Sequence, residues 1–264
     1  MFKHITAGIL ALFISQLSLI AELAEKKVTY SINGVAFEST VIFDKAAKSQ
    51  PGILMVPNWM GPTQDSLGKA KEMAEEGYVV MMVDMYGTDV RPTNAEEASK
   101  AAVFVRGDRE LMRNRVKTAL KEFRATRGIP LEKSRIAAIG FCFGGGAVLE
   151  LGRSGAKVDA IVSFHGDLKS PTLLDDAGNT KAKVLVLHGA NDPYVPQADV
   201  QEWINAMQPT DVDWRLVQFS NTVHSFTDKN AKATGAAEFN KVSNDRAFEM
   251  MGELLEETWG DTDD

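Results

Sequence analysis

From residue 28 to the C-terminus, short apolar runs alternate with amphipathic stretches, and neither a repeat nor a low-complexity linker interrupts them. That alternation predicts an α/β domain built on a mostly parallel sheet. The first two runs, 28–32 and 35–43, flank Asn33-Gly34, a pair that supplies the positive φ angles of a two-residue turn, so they predict an antiparallel hairpin. The later runs, 53–56, 79–83, 135–139, 160–164, 184–187 and 214–219, read as buried parallel strands. Between them, 65–76 stops at Gly77 and 108–126 stops at Gly128 before Pro130, which predicts two helices with C-terminal glycines. Met112, Val116, Ala119 and Phe123 recur at helical spacing and predict a stripe facing the sheet, with Arg113, Lys117 and Lys121 in water. Further helices are predicted at about 143–153, 197–207 and 238–258.

Eight strands, the first two a hairpin and the rest linked by helices on both faces, are the α/β-hydrolase architecture. In open α/β sheets the chemistry gathers at the carboxyl ends of the strands, which selects the residues to weigh. A chain of 264 residues, 44% apolar and 25% charged, can close one large core, predicted as a single domain over 25–264. A net charge of −7 argues against a nucleic-acid partner, which would need a clustered basic surface, and favours a small-molecule substrate. Behind Lys3 and His4, residues 5–21 carry no charge; the run matches a signal-peptide hydrophobic region and is short for a membrane span. Residues 1–24 are therefore expected to be an export signal, cleaved after Ala21 or Ala24. The mature protein is expected in the periplasm or secreted, without stable membrane association, and as a monomer.

Export changes the meaning of the only cysteine, since structural cysteines in oxidising compartments come in pairs. Cys142 sits in Gly140-Phe141-Cys142-Phe143-Gly144-Gly145, between a predicted strand and a predicted helix. A sharp turn there lifts a side chain above the sheet edge, beside backbone N–H groups that can bind an oxyanion. Asp192 follows the strand at 184–187 and His224 follows the last strand, so nucleophile, acid and base come in the chain order this fold uses. His224 can carry the thiol proton and Asp192 can hold the imidazole tautomer. The N–H groups of Phe143 and Trp59 are the expected oxyanion donors. Asn58, Met60, Met85, Tyr86 and His165 are candidates for the substrate pocket; His188 reads as structural. No cluster at metal-ligand spacing occurs, so no metal or other cofactor is expected. The competing function is a non-catalytic binding protein on the same scaffold.

The elbow, with the Asp192 and His224 segments at these distances, resembles the dienelactone hydrolase family over about 53–255. The resemblance implies a Cys-His-Asp triad that cleaves an ester or lactone through an acyl-cysteine. It also implies a glutamate beside the resting thiol, where this chain has Asn58, and two arginines for a substrate carboxylate, where it has Thr88 and Asp228. Arg91 is the nearest substitute in sequence. These departures predict a different, neutral ester or lactone as substrate.

Overall fold

The computed structural model describes residues 21–260. The predicted export signal lies outside them except for its last four residues, 21–24. Two long strands open the fold, β1 (Leu23–Ile32) and β2 (Val35–Asp44), paired antiparallel around Asn33 and Gly34, both at positive φ as a tight hairpin turn requires. Leu23 and Ala24 already pair with Asp44 and Phe43, so cleavage after Ala21 leaves β1 whole and cleavage after Ala24 removes two paired residues.

The chain continues through β3 (Gln50–Val56), α1 (Gln64–Glu75), β4 (Val79–Met82), α2 (Ala95–Gly107), α3 (Arg109–Ala125), β5 (Leu131–Phe141) and α4 (Phe143–Arg153). It closes with β6 (Ala160–Phe164), α5 (Leu173–Asp176), β7 (Lys183–Gly189), α6 (Gln197–Met207), β8 (Trp214–Phe219), a small hairpin β9 (Lys232–Ala233) and β10 (Ala237–Glu238), and α7 (Lys241–Trp259). Strand order in the main sheet is β1-β2-β4-β3-β5-β6-β7-β8; β3 to β8 run parallel, and the hairpin joins antiparallel through β2 and β4.

Alternation along each strand divides the core. Leu54 and Val56 of β3 face a layer made by α2, α3, α4 and α6, while Ile53 and Met55 face α1 and α7. The predicted stripe Met112, Val116, Ala119 and Phe123 is fully buried in the first layer. Arg113 departs from expectation: instead of standing in water it pairs with buried Glu150 (2.6 Å) and with Asp176, tying α3 to α4 and α5. Arg153 completes this group through Glu150 at 2.7 Å. A buried charge is tolerated only when paired in this way. Among the described residues no helix is long and apolar enough to cross a membrane.

Candidate active site

The turn between β5 and α4 is strained. Cys142 adopts φ 53° and ψ −115°, a region that costs a non-glycine residue energy and that the surroundings must enforce. Close packing does so: a Cβ on Gly144 would stand 2.1 Å from the Val56 carbonyl oxygen, and one on Gly140 would stand 2.0 Å from that of Gly144. Only glycine lets the start of α4 press against β3 and β5, and this pressure raises the half-buried Cys142 above the sheet.

Sγ of Cys142 lies 3.0 Å from His224 Nε2, and His224 Nδ1 lies 2.7 Å from Asp192 Oδ2. The three side chains predicted from strand ends therefore form one hydrogen-bonded line. Asp192 is also the turn residue that its position before Pro193 suggests: its Oδ1 accepts from the N–H groups of Tyr194 (2.8 Å) and Val195 (3.2 Å), leaving Oδ2 for the imidazole. His224 is held by the β9–β10 hairpin, whose Ala236 carbonyl accepts from its N–H at 3.1 Å, while its carbonyl accepts from Glu238.

The charges of this line support one another. Burial alone would raise the Cys142 thiol, but the hydrogen bond and charge of His224, the Phe143 N–H and the Arg106 guanidinium together bring it below its ordinary value. Burial alone would lower His224, and its bonds to Asp192 and Cys142 instead raise it to about 10. Both directions favour the thiolate–imidazolium pair over the neutral pair.

A cavity of about 690 Å³ opens on Cys142 and His224. Trp59 lines it, as do Val103 and Arg106 of α2, Asp167, Lys169, Tyr194, Asp228 and the small hairpin. The Tyr86 hydroxyl donates to the Trp59 carbonyl at 2.8 Å, and Met60 and Gly61 turn their N–H groups back onto Asn58; neither of these turn bonds uses the Trp59 N–H. Phe143 is buried, with its ring against Tyr86 and its N–H on the cysteine sulfur.

Five residues expected in the pocket stand elsewhere. Met85 and Tyr86 are core residues, 2% and 3% exposed, because the loop after β4 folds inward under α2 and α3. Met60 does not line the cavity, since its N–H is drawn into the Asn58 turn. Asn58 and His165 line a second cavity, about 390 Å³, which shares Ser225 and Asp228 with the first. Arg91 is not a substitute cation at the site; it is bound to buried Asp84 at 2.9 Å. Thr88 is exposed and outside the cavity, whereas Asp228 does line it. His188 is buried at the end of β7, away from the cavity lining. Among the described residues no group of three or more potential ligands could hold a metal.

Sequence reasoning missed α2, and with it Arg106 and Val103. The signal was present as a capping box: Asn94 accepts from the Glu97 N–H (3.0 Å) and Glu97 accepts back from the Thr93 N–H (2.8 Å).

An eight-stranded, mostly parallel sheet with a thiol at its nucleophile elbow and an imidazole and a carboxylate at later strand ends defines an α/β hydrolase. The model of the dienelactone hydrolase family matches residues 37–258, and the chain belongs to that family of ester- and lactone-cleaving enzymes. Among solved structures it is similar to the dienelactone hydrolase-like promiscuous phosphotriesterase P91 from metagenomic libraries, with 31% identity and a TM-score of 0.82 over 90% of this chain and 99% of that one. It is similar also to the structure named m3DLH, at 30% identity and a TM-score of 0.81, covering 89% and 98%. An uncharacterised protein of Caenorhabditis elegans is 27% identical over 144 residues, 51% of this chain and 88% of that protein.

Proposed function

We propose that this protein hydrolyses a neutral carboxylic ester or lactone through an acyl-cysteine intermediate. The observation that carries the reading is the line from Cys142 through His224 to Asp192 at the floor of the cavity. The Cys142 thiolate attacks the acyl carbon, and the carbonyl oxygen becomes an oxyanion received by the N–H groups of Phe143 and Trp59. As the tetrahedral intermediate collapses, the C–O bond breaks and the His224 imidazolium gives its proton to the leaving oxygen. A water then attacks the thioester, His224 takes its proton, and the acid leaves as the thiolate is restored. Asp192 holds the Nδ1–H tautomer throughout.

A neutral substrate is favoured because the cavity's charges are largely balanced within its own wall. Arg106 faces Asp167 at 3.5 Å, Lys169 pairs with Asp199 at 2.9 Å, and the negative Asp228 is matched by Lys232 on the same wall. Exposed Val103 and Tyr194 give the mouth an apolar rim, and Tyr194 stands edge-on to His224 at 5.2 Å. The uncharged run 5–21 supports an exported enzyme.

The test is a panel of short neutral esters, neutral lactones and anionic dienelactones on wild type and Cys142→Ala. The likeness to a promiscuous phosphotriesterase adds an aryl phosphotriester to it. Neutral esters should be turned over by wild type and lose about 10³-fold or more in kcat in the variant. Undiminished turnover in Cys142→Ala refutes the mechanism; preference for the anionic lactone refutes the substrate class.

A further inference from the structure

We propose that His165 is a positioning residue of the elbow: its neutral imidazole, oriented by Thr227, fixes the backbone N–H of Cys142 and so the placement of the thiol. The proposal rests on the role given above to Cys142. His165 follows β6 and is 2% exposed. Its Nδ1 lies 3.2 Å from the Cys142 nitrogen, whose N–H also reaches the Phe164 carbonyl at 3.0 Å. Because a backbone N–H can only donate, Nδ1 is the bare nitrogen. The ring proton is then on Nε2, where the Thr227 hydroxyl lies 2.9 Å away. Thr227 is in turn fixed by its own carbonyl, which accepts from Lys69 Nζ at 3.0 Å, and the Lys69 ammonium rests over the rings of Phe141 and Phe248.

The surroundings exclude the protonated ring. It is buried, packed edge-on to Phe226 and His224 at 5.1 Å each, and faced by the charges of Lys69 and the imidazolium of His224, with His188 further along the sheet. Burial first, then these cations, keep its pKa well below the ordinary imidazole value. A proton on Nδ1 would oppose the Cys142 N–H and repel His224. His165 itself sits at φ 40°, a strained setting that here serves to aim the ring at the elbow.

Thr227→Val removes the acceptor on Nε2 and lets the Nδ1–H tautomer compete at similar volume. It is expected to lower kcat about tenfold with KM unchanged, and to move the pH midpoint of Cys142 alkylation by iodoacetamide upward, while Thr227→Ser restores both. His165→Asn places an acceptor at the same reach and suits a positive φ, so it should stay within a few-fold of wild type, whereas His165→Leu should lose both properties. If folded Thr227→Val and His165→Leu keep the wild-type kcat and alkylation midpoint, or if His165→Asn fails as badly as His165→Leu, the proposal is wrong. Wild type without esterase activity but with the predicted shifts in alkylation would refute only the hydrolytic reading.

Discussion

At the residue scale the proposed chemistry depends on a thiol made acidic by its neighbours against its own burial. Desolvation favours the uncharged thiol, and His224, the Phe143 N–H and Arg106 overturn that preference. The sign follows: a lowered thiol value means the thiolate persists as pH falls below about 8.5, the ordinary thiol value, and is lost only below the shifted midpoint. Alkylation of Cys142 should therefore be faster at pH 6.5 than that of a free model thiol. In His224→Ala the main offset to burial is lost and only the Phe143 N–H and Arg106 remain, so the midpoint should rise above that of wild type. A wild-type midpoint at or above the free-thiol value would remove the ion pair from the account and favour an inert scaffold. The departure at Asn58 also becomes intelligible at this scale, since its side chain is spent on the Met60 N–H and the charged partner of the sulfur is His224.

At the element scale, the placement of Cys142 depends on how closely α4 approaches β3. Gly144→Ala drives a methyl into the Val56 and Pro57 carbonyls, rigid backbone that no rotamer change can relieve. It should destabilise the fold by about 3 kcal/mol, the upper end of overpacking costs, or prevent folding. Gly68→Ala, in the interior of α1 with nothing within 4 Å, should instead stabilise by about 0.5–1 kcal/mol through helix propensity. Thermal or urea melts separate the two; equal effects would contradict the close-approach argument. The strands were legible because each is a compact apolar run bounded by turn residues, and β6 and β8 begin and end as expected. Helix α2 was not, because half its surface faces water and its apolar residues Val103 and Phe104 are themselves exposed, which blurs the periodicity. The β9–β10 hairpin that holds His224 is two residues per strand, too short to leave a pattern.

At the scale of the whole molecule, eight strands and two helical layers bring residues 32 to 82 positions apart to one edge. Chain order and strand ends sufficed to expect Cys142, Asp192 and His224 side by side, because the parallel sheet carries its loops to a common side. The pocket walls were not legible in the same way. Met85 and Tyr86 occupy loop positions yet serve as core, and the cavity that opens on Cys142 is lined by α2, the segment after β6 and the loop beyond His224. Those contacts are set by tertiary packing, which spacing along the chain does not encode. The buried group Arg113, Glu150, Arg153 and Asp176 shows the same limit, since its partners lie on three helices. Intact-protein mass spectrometry after rapid acid quenching of a slowly deacylating neutral ester reads whether the acyl group passes through Cys142. A mass increase equal to one acyl group is expected, mapped to Cys142 and absent from Cys142→Ala; ester turnover with the acyl group on another residue, or an adduct unchanged in the variant, would overturn the acyl-cysteine mechanism.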